Sequence, residues 1–159
     1  MEIHMKTLLK VSVVICLLFT TVLYAHCEIP CGIYGDSLRF ALVREHVQTI
    51  EKSMQEINRL SKAKNPDYNQ LVRWINNKET HAEMLQEIVS QYFLHQRVIP
   101  VMETDKEYKT YLTKLELLHR ILVGAMKCKQ GTDLAEPARI LHHLKVFEDI
   151  YFDGHGHHH

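Results

Sequence analysis

DSLRFALVREHVQTIEKSMQEINRL, residues 36–60, sets Phe40, Val43, Val47, Ile50, Met54, Ile57 and Leu60 three or four positions apart. That spacing gathers them on one face of an α-helix and excludes the alternation that a half-buried strand shows. Asp36, just ahead of the stripe, is the expected N-cap.

The same period continues along the chain. Asn65-Pro66-Asp67 reads as a cap followed by proline at the first helical position. The stripe behind it runs through Leu71, Trp74, Ile75, Ala82, Leu85, Ile88, Val89 and Tyr92, and Pro100 lies past its end. A third stripe joins Tyr108, Tyr111, Leu115, Leu118, Leu122 and Ala125 and stops near Gly131. A fourth joins Leu134, Ala138, Leu141, Leu144, Phe147 and Ile150, with Asp133 and Glu136 forming a start like a capping box. No hairpin turn or internal repeat interrupts this pattern. The expected fold is all-α, an antiparallel four-helix bundle over 36–152. Met54, Met84 and Met126 lie at helical spacings and are expected as core filler, and Cys128 as a small buried residue.

Residues 1–25 do not belong to that bundle. Lys6 and Lys10 precede the uncharged apolar run Val11–Tyr24, and Ala25 supplies a small residue at a break before His26. This is the composition of a secretory signal peptide, so the chain is expected to be exported, periplasmic or extracellular after cleavage by a signal peptidase. The run is shorter than the ~20 residues that span a bilayer, so no membrane association is expected after processing. A lipid-modified cysteine needs a small residue directly before it, but Cys27 follows His26 and Cys16 follows Ile15.

Of 19 Lys and Arg and 19 Asp and Glu, Lys6, Lys10 and Glu2 leave with the leader, so 17 basic and 18 acidic residues remain. That balance gives no electrostatic case for a nucleic-acid partner. Cys16 leaves as well, so Cys27, Cys31 and Cys128 remain, an odd number in a compartment that permits disulfides.

The processed chain would begin His26-Cys27-Glu28-Ile29-Pro30-Cys31-Gly32-Ile33-Tyr34. A free α-amine titrates at roughly 7.7–8.0 and binds metals near neutral pH. The amide nitrogen and thiolate of Cys27 close chelate rings with it. Pro30 and Gly32 help the chain turn so that Cys31 supplies a second thiolate. Two nitrogens and two sulfurs in a plane suit nickel(II) or copper(II) rather than tetrahedral zinc, with the His26 imidazole in reach of an axial position. Two thiolates and an anionic amide also push electron density onto the metal and stabilise its higher oxidation state.

The stretch H-C-E-I-P-C-G-I-Y resembles the metal-binding hook of nickel superoxide dismutases, which has the form H-C-x-x-P-C-G-x-Y at the mature N-terminus. The resemblance covers the hook (26–35), and the four-helix reading of the remainder agrees with the family fold. It implies a superoxide dismutase with one nickel ion per subunit, superoxide as substrate, a Ni(III)/Ni(II) cycle and a homohexameric assembly. It assigns the amine and axial imidazole to His26, an amide nitrogen and thiolate to Cys27, and a thiolate to Cys31. Tyr34 corresponds to the tyrosine over the open axial face. Gln91-Tyr92-Phe93 matches the family's Asp-Tyr-Phe triplet, which makes Tyr92 the second tyrosine near that face.

The chain also departs from the family. The glutamate and arginine that hold the axial imidazole in the family fall near Val43, with Glu45 close by, and near His81, so Glu45, Arg73 and His81 are candidates for that support. The plainer reading of those three is solvated helix surface.

Other readings compete. Cys27 and Cys31 could form a disulfide, but that leaves the His at the new terminus and the Pro-Cys-Gly-x-Tyr unexplained. Glu116 and His119 fit one half of a di-iron bundle site, but a second Glu-x-x-His is missing. The tail over 153–159 and His142-His143 motivate an exported, non-enzymatic metal carrier, with the tail itself disordered and binding loosely.

Overall fold

The computed structural model describes residues 35–154, so the leader (1–25), His26, Cys27, Cys31, Tyr34 and the histidines of the tail lie outside the described residues. Within them the chain forms α1 (Asp36–Ser61), α2 (Tyr68–Glu87), a π-helical segment (Ile88–Arg97), α3 (Tyr108–Gln130) and α4 (Ala135–Gly154). The described residues contain no strand. No helix among them is long and apolar enough to cross a membrane.

The first stripe is borne out residue for residue. Phe40, Val43, Val47, Ile50, Met54, Ile57 and Leu60 are all buried, and Ser53 joins them. Ser53 is tolerated because its hydroxyl donates to the Thr49 carbonyl at 2.7 Å and accepts from Asn77 Nδ2 at 2.9 Å. The caps differ from expectation. Gly35 is the N-cap of α1, and Asp36 is already helical, its carboxylate engaged elsewhere. α2 is capped by Asp67, whose Oδ1 accepts from the Gln70 amide at 3.0 Å, so Pro66 precedes the cap and does not open the helix.

α2 packs mainly on α1 and α3 on α4, with α2 against α3 and α4 against α1 closing the ring. Short connections between sequential neighbours make the arrangement antiparallel. Asn58, near the end of α1, donates to the Thr132 carbonyl at 3.1 Å, while Asp36 at its start accepts from Tyr151 near the end of α4 at 2.9 Å.

The other stripes hold in part. In α4 the buried residues are Glu136, Pro137, Ile140, Leu144, Phe147 and Tyr151, whereas Leu134 and Ala138 are exposed. The apolar period there is wide enough to fit two adjacent faces, and only packing on α3 chooses between them. The Asp133 carboxylate accepts from the Ala135 amide at 3.0 Å, but Glu136 turns to Arg139 instead of completing the capping box. Met54 is core, while Met84 and Met126 are 47% and 41% exposed and therefore not filler. Cys128 is buried and unbridged, as expected.

A lysine in the interior was not anticipated. Lys78 is 4% exposed, and its ammonium donates to the Cys128 carbonyl at 2.7 Å and to that of Lys129. A cation there satisfies the last carbonyls of α3 and complements the negative end of its dipole.

α2 does not simply run on to Pro100. From Ile88 the helix widens, and the Val98 amide bonds the Phe93 carbonyl five residues back at 2.9 Å. Ser90 lies at the junction with its hydroxyl on the Gln86 carbonyl at 2.7 Å, competing with the ordinary i−4 amide. The wider turn brings Tyr92 and Phe93 both inward, and both are buried.

Candidate metal centre

Gly35 begins the described chain directly after Tyr34, so the 26–34 segment joins the bundle at the start of α1. The first helical residue there, Asp36, organises a polar cluster. Its Oδ1 accepts from the Tyr92 hydroxyl at 2.5 Å, and its Oδ2 accepts from the Tyr151 hydroxyl at 2.9 Å. Arg97 completes it, donating from Nη2 to the Tyr92 oxygen at 3.0 Å with Nε 3.2 Å from Asp36 Oδ1. The guanidinium carbons of Arg97 and Arg39 lie 4.9 and 5.3 Å from the centroid of the Tyr92 ring.

Three elements meet in this cluster: the first turn of α1, the π-helical segment and the last turns of α4. It rests on an aromatic floor. The Phe40 ring is 4.7 Å from that of Phe93, 5.5 Å from Phe147 and 5.6 Å from Tyr151. Burial, and then the hydrogen bond to Asp36, push the Tyr92 phenol above its ordinary range, against the opposing pull of Arg97. The Tyr151 phenol is pushed far up for the same two reasons. Both tyrosines are therefore neutral hydrogen-bond donors at physiological pH.

Of the sequence candidates, Tyr92 is brought to the start of α1, beside the point where residue 34 enters. Glu45 and Arg73 are not. They line a groove of about 620 Å³ between α1 and α2 with Thr49, Lys52, Trp74 and Asn77. Glu45 lies nine residues along α1 from Asp36, ~13 Å at the helical rise.

His81 has a partner the sequence did not disclose. Its Nδ1 is 3.0 Å from His46 Nδ1, across the α1–α2 contact. Burial lowers the His46 pKa below 6.5, the charge of His81 lowers it further, and Glu45 partly opposes both. The folded chain therefore binds this proton less readily than the unfolded chain. The stability gained is complete above pH ~6.5 and is lost as pH falls through the lower folded value. Urea unfolding between about pH 8 and pH 5 should show the midpoint falling on the acid side, and less steeply in His46→Gln. Parallel curves for the two proteins would remove His46 as the cause.

Among the described residues no group of three or more His, Cys, Asp or Glu is placed to hold a metal ion. Cys128 is shut inside the core, where burial pushes its thiol up to about 11. Glu116 pairs with Arg120 at 2.6 Å on the exposed face of α3, as a surface residue would.

Compared with known families, residues 21–155 match the family model of nickel-containing superoxide dismutases. The chain belongs to that family. The match begins five residues before His26, runs through the 26–34 segment and covers all four helices of the bundle. A nickel-containing superoxide dismutase is an oxidoreductase with a nickel cofactor and superoxide as its substrate, and the match gives no support to a non-enzymatic carrier. No curated protein and no solved structure matches the chain.

Asp36, Arg97 and Tyr151 escaped the sequence reading. The one available signal was the position of Asp36 two residues after the motif, which reads equally well as a helix cap.

Proposed function

We propose that this nickel superoxide dismutase works at a single nickel ion per chain, held by the segment His26–Tyr34 once residues 1–25 have been removed. The observation that carries the reading is the position of Tyr92: it is held on Asp36, at the α1 end to which that segment is joined.

The donor chemistry fits the cofactor. The described bundle offers no cluster of ligands, and its one thiol is buried and protonated at neutral pH. The segment 26–34 holds two further cysteines and a histidine that becomes N-terminal on cleavage. His26 would bind through its amine and imidazole, Cys27 through its amide nitrogen and thiolate, and Cys31 through its thiolate. Held by these residues, nickel would supply a one-electron Ni(III)/Ni(II) couple, able to take an electron from one superoxide, giving oxygen, and to pass it with two protons to a second, giving hydrogen peroxide. Thiolate and deprotonated-amide donors are what bring such a couple into a useful range.

The remaining roles belong to the surroundings. Tyr34 and Tyr92 bound the open face and restrict it to small molecules. The guanidinium groups of Arg39 and Arg97 both lie over the Tyr92 ring, where positive charge would favour an anionic substrate. While the leader is attached, the nitrogen of His26 is an amide and cannot serve as an amine ligand, so export and cleavage by a signal peptidase precede activity. The assembly we infer is a homohexamer, periplasmic or extracellular.

The test is intact mass and elemental analysis on protein recovered from an exporting host, with a superoxide assay on the same sample. A chain beginning at His26, carrying about one nickel and losing turnover on metal removal, is the expected result. A retained leader, or a Cys27–Cys31 disulfide with no nickel-dependent turnover, would overturn it.

A further inference from the structure

Tyr92 is the only tyrosine of the proposed site whose hydrogen bonds the described residues display, and those bonds limit what it can do. A phenol has one proton to donate. Here that proton is directed to Asp36 Oδ1 at 2.5 Å, and the phenolic oxygen in turn accepts from Arg97 at 3.0 Å. The second oxygen of Asp36 is engaged by Tyr151 at 2.9 Å.

We propose that Asp36 is a positioning residue of the nickel site, holding Tyr92 as a fixed wall whose hydroxyl proton is not delivered to the substrate. This rests on the placement of nickel in the 26–34 segment and deepens it. The protons consumed in making hydrogen peroxide then come from another group or from water.

The position of Asp36 supports the role. It lies two residues after Tyr34 and in the first turn of α1, where an anion is favoured by the helix dipole. One carboxylate thereby couples the exit of the metal-binding segment to the π-helical segment through Tyr92 and to α4 through Tyr151. Among the described residues, the charged and titratable groups around Tyr92 are Asp36 and Arg39 from α1, Arg97 from its own segment and, across Asp36, Tyr151 from α4. Lys114 of α3 lies 5.7 Å from the Tyr151 ring beyond them. Asp36 is the one anion of that described set, and it accepts the phenolic proton of Tyr92.

The experiment uses the nickel-loaded processed chain beginning at His26 and reads tyrosinate absorbance against pH, nickel content, and turnover from about pH 6 to pH 10. In Asp36→Asn the Tyr92 and Tyr151 phenols should both ionise at lower pH than in the wild type, and the Asp36→Asn, Tyr92→Phe double variant should lose one of those two titrations, leaving that of Tyr151. Turnover should fall several-fold, with its alkaline limb moved to lower pH and nickel content unchanged. Asp36→Glu keeps the carboxylate, so phenol ionisation should stay close to wild type; it serves as the second variant if Asn at this position impairs folding. Tyr92→Phe should lower turnover by the same factor at every pH.

An unchanged phenol titration in Asp36→Asn would overturn the placement. A reshaped pH profile in Tyr92→Phe would overturn the claim about the proton. Phenol titration needs no nickel, so a wild-type protein without nickel-dependent turnover would sink the functional reading and leave the test of Asp36 standing.

Discussion

Cys27→Ser and Cys31→Ser should each reduce superoxide turnover to background while leaving the bundle folded. A serine hydroxyl stays protonated at neutral pH and offers a hard oxygen in place of a soft thiolate, so both nickel binding and access to the higher oxidation state suffer. The loss should exceed the ~10–100-fold expected when a group that merely orients a ligand is removed. Far-UV circular dichroism should be unchanged, because the helical stripes that build the bundle lie within 36–152. Cys128→Ala is the control. That thiol is buried between helices with its pKa raised to about 11, so nickel content should match the wild type. Retained turnover in either serine variant would rule out the two-thiolate centre.

Phe40→Ala should cost about 3–5 kcal/mol of stability, the range for removing a fully buried aromatic side chain. Phe40 is completely buried and lies against Phe93, Phe147, Tyr151 and Phe152, at centroid distances from 4.7 to 5.6 Å. It therefore joins α1 to the π-helical segment and to α4 at once. Against a total of roughly 5–15 kcal/mol for a domain, the loss would bring the bundle close to unfolding at elevated temperature. Urea titration of wild type and variant measures it directly. A loss under about 1.5 kcal/mol, the upper range for deleting a single methylene, would mean that the aromatic cluster is loosely packed. Because Tyr92 and Tyr151 stand on this floor, the variant should also weaken the Asp36 cluster, visible as earlier phenol ionisation.

How far the chain could be read without its structure differs from element to element. α1 was legible to the residue, because a stripe at three- and four-residue spacing admits one helical face and nothing in 36–61 competes with it. The ends of α3 were equally plain, set by Tyr108 and by Gly131. α4 was legible as a helix but not in its rotation, since Leu134 and Ala138 satisfy the same period as the buried Ile140 and Tyr151. Caps were misplaced at both Asp36 and Asn65-Pro66 for a common reason. Which oxygen meets which amide depends on the local backbone, and residue type alone is compatible with several registers.

The chemistry followed the same division. By itself the sequence determined the all-helical class and, through His26, Cys27, Pro30, Cys31, Gly32 and Tyr34, the family that residues 21–155 match. These are local properties: hydrophobic period is written into neighbouring residues, and the motif carries its residues within nine positions. Only the tertiary structure decided that His81 faces His46 rather than solvent. It also decided that Glu45 and Arg73 line a separate groove, and that Tyr92 is held by Asp36 and Arg97 while Tyr151 holds the other oxygen of Asp36. Those partners are separated by 35 to 115 positions along the chain, except Arg97, which a widened helical turn brings onto Tyr92. Contacts of that kind exist only once the bundle has closed, because no local period or spacing encodes which faces of distant helices will meet.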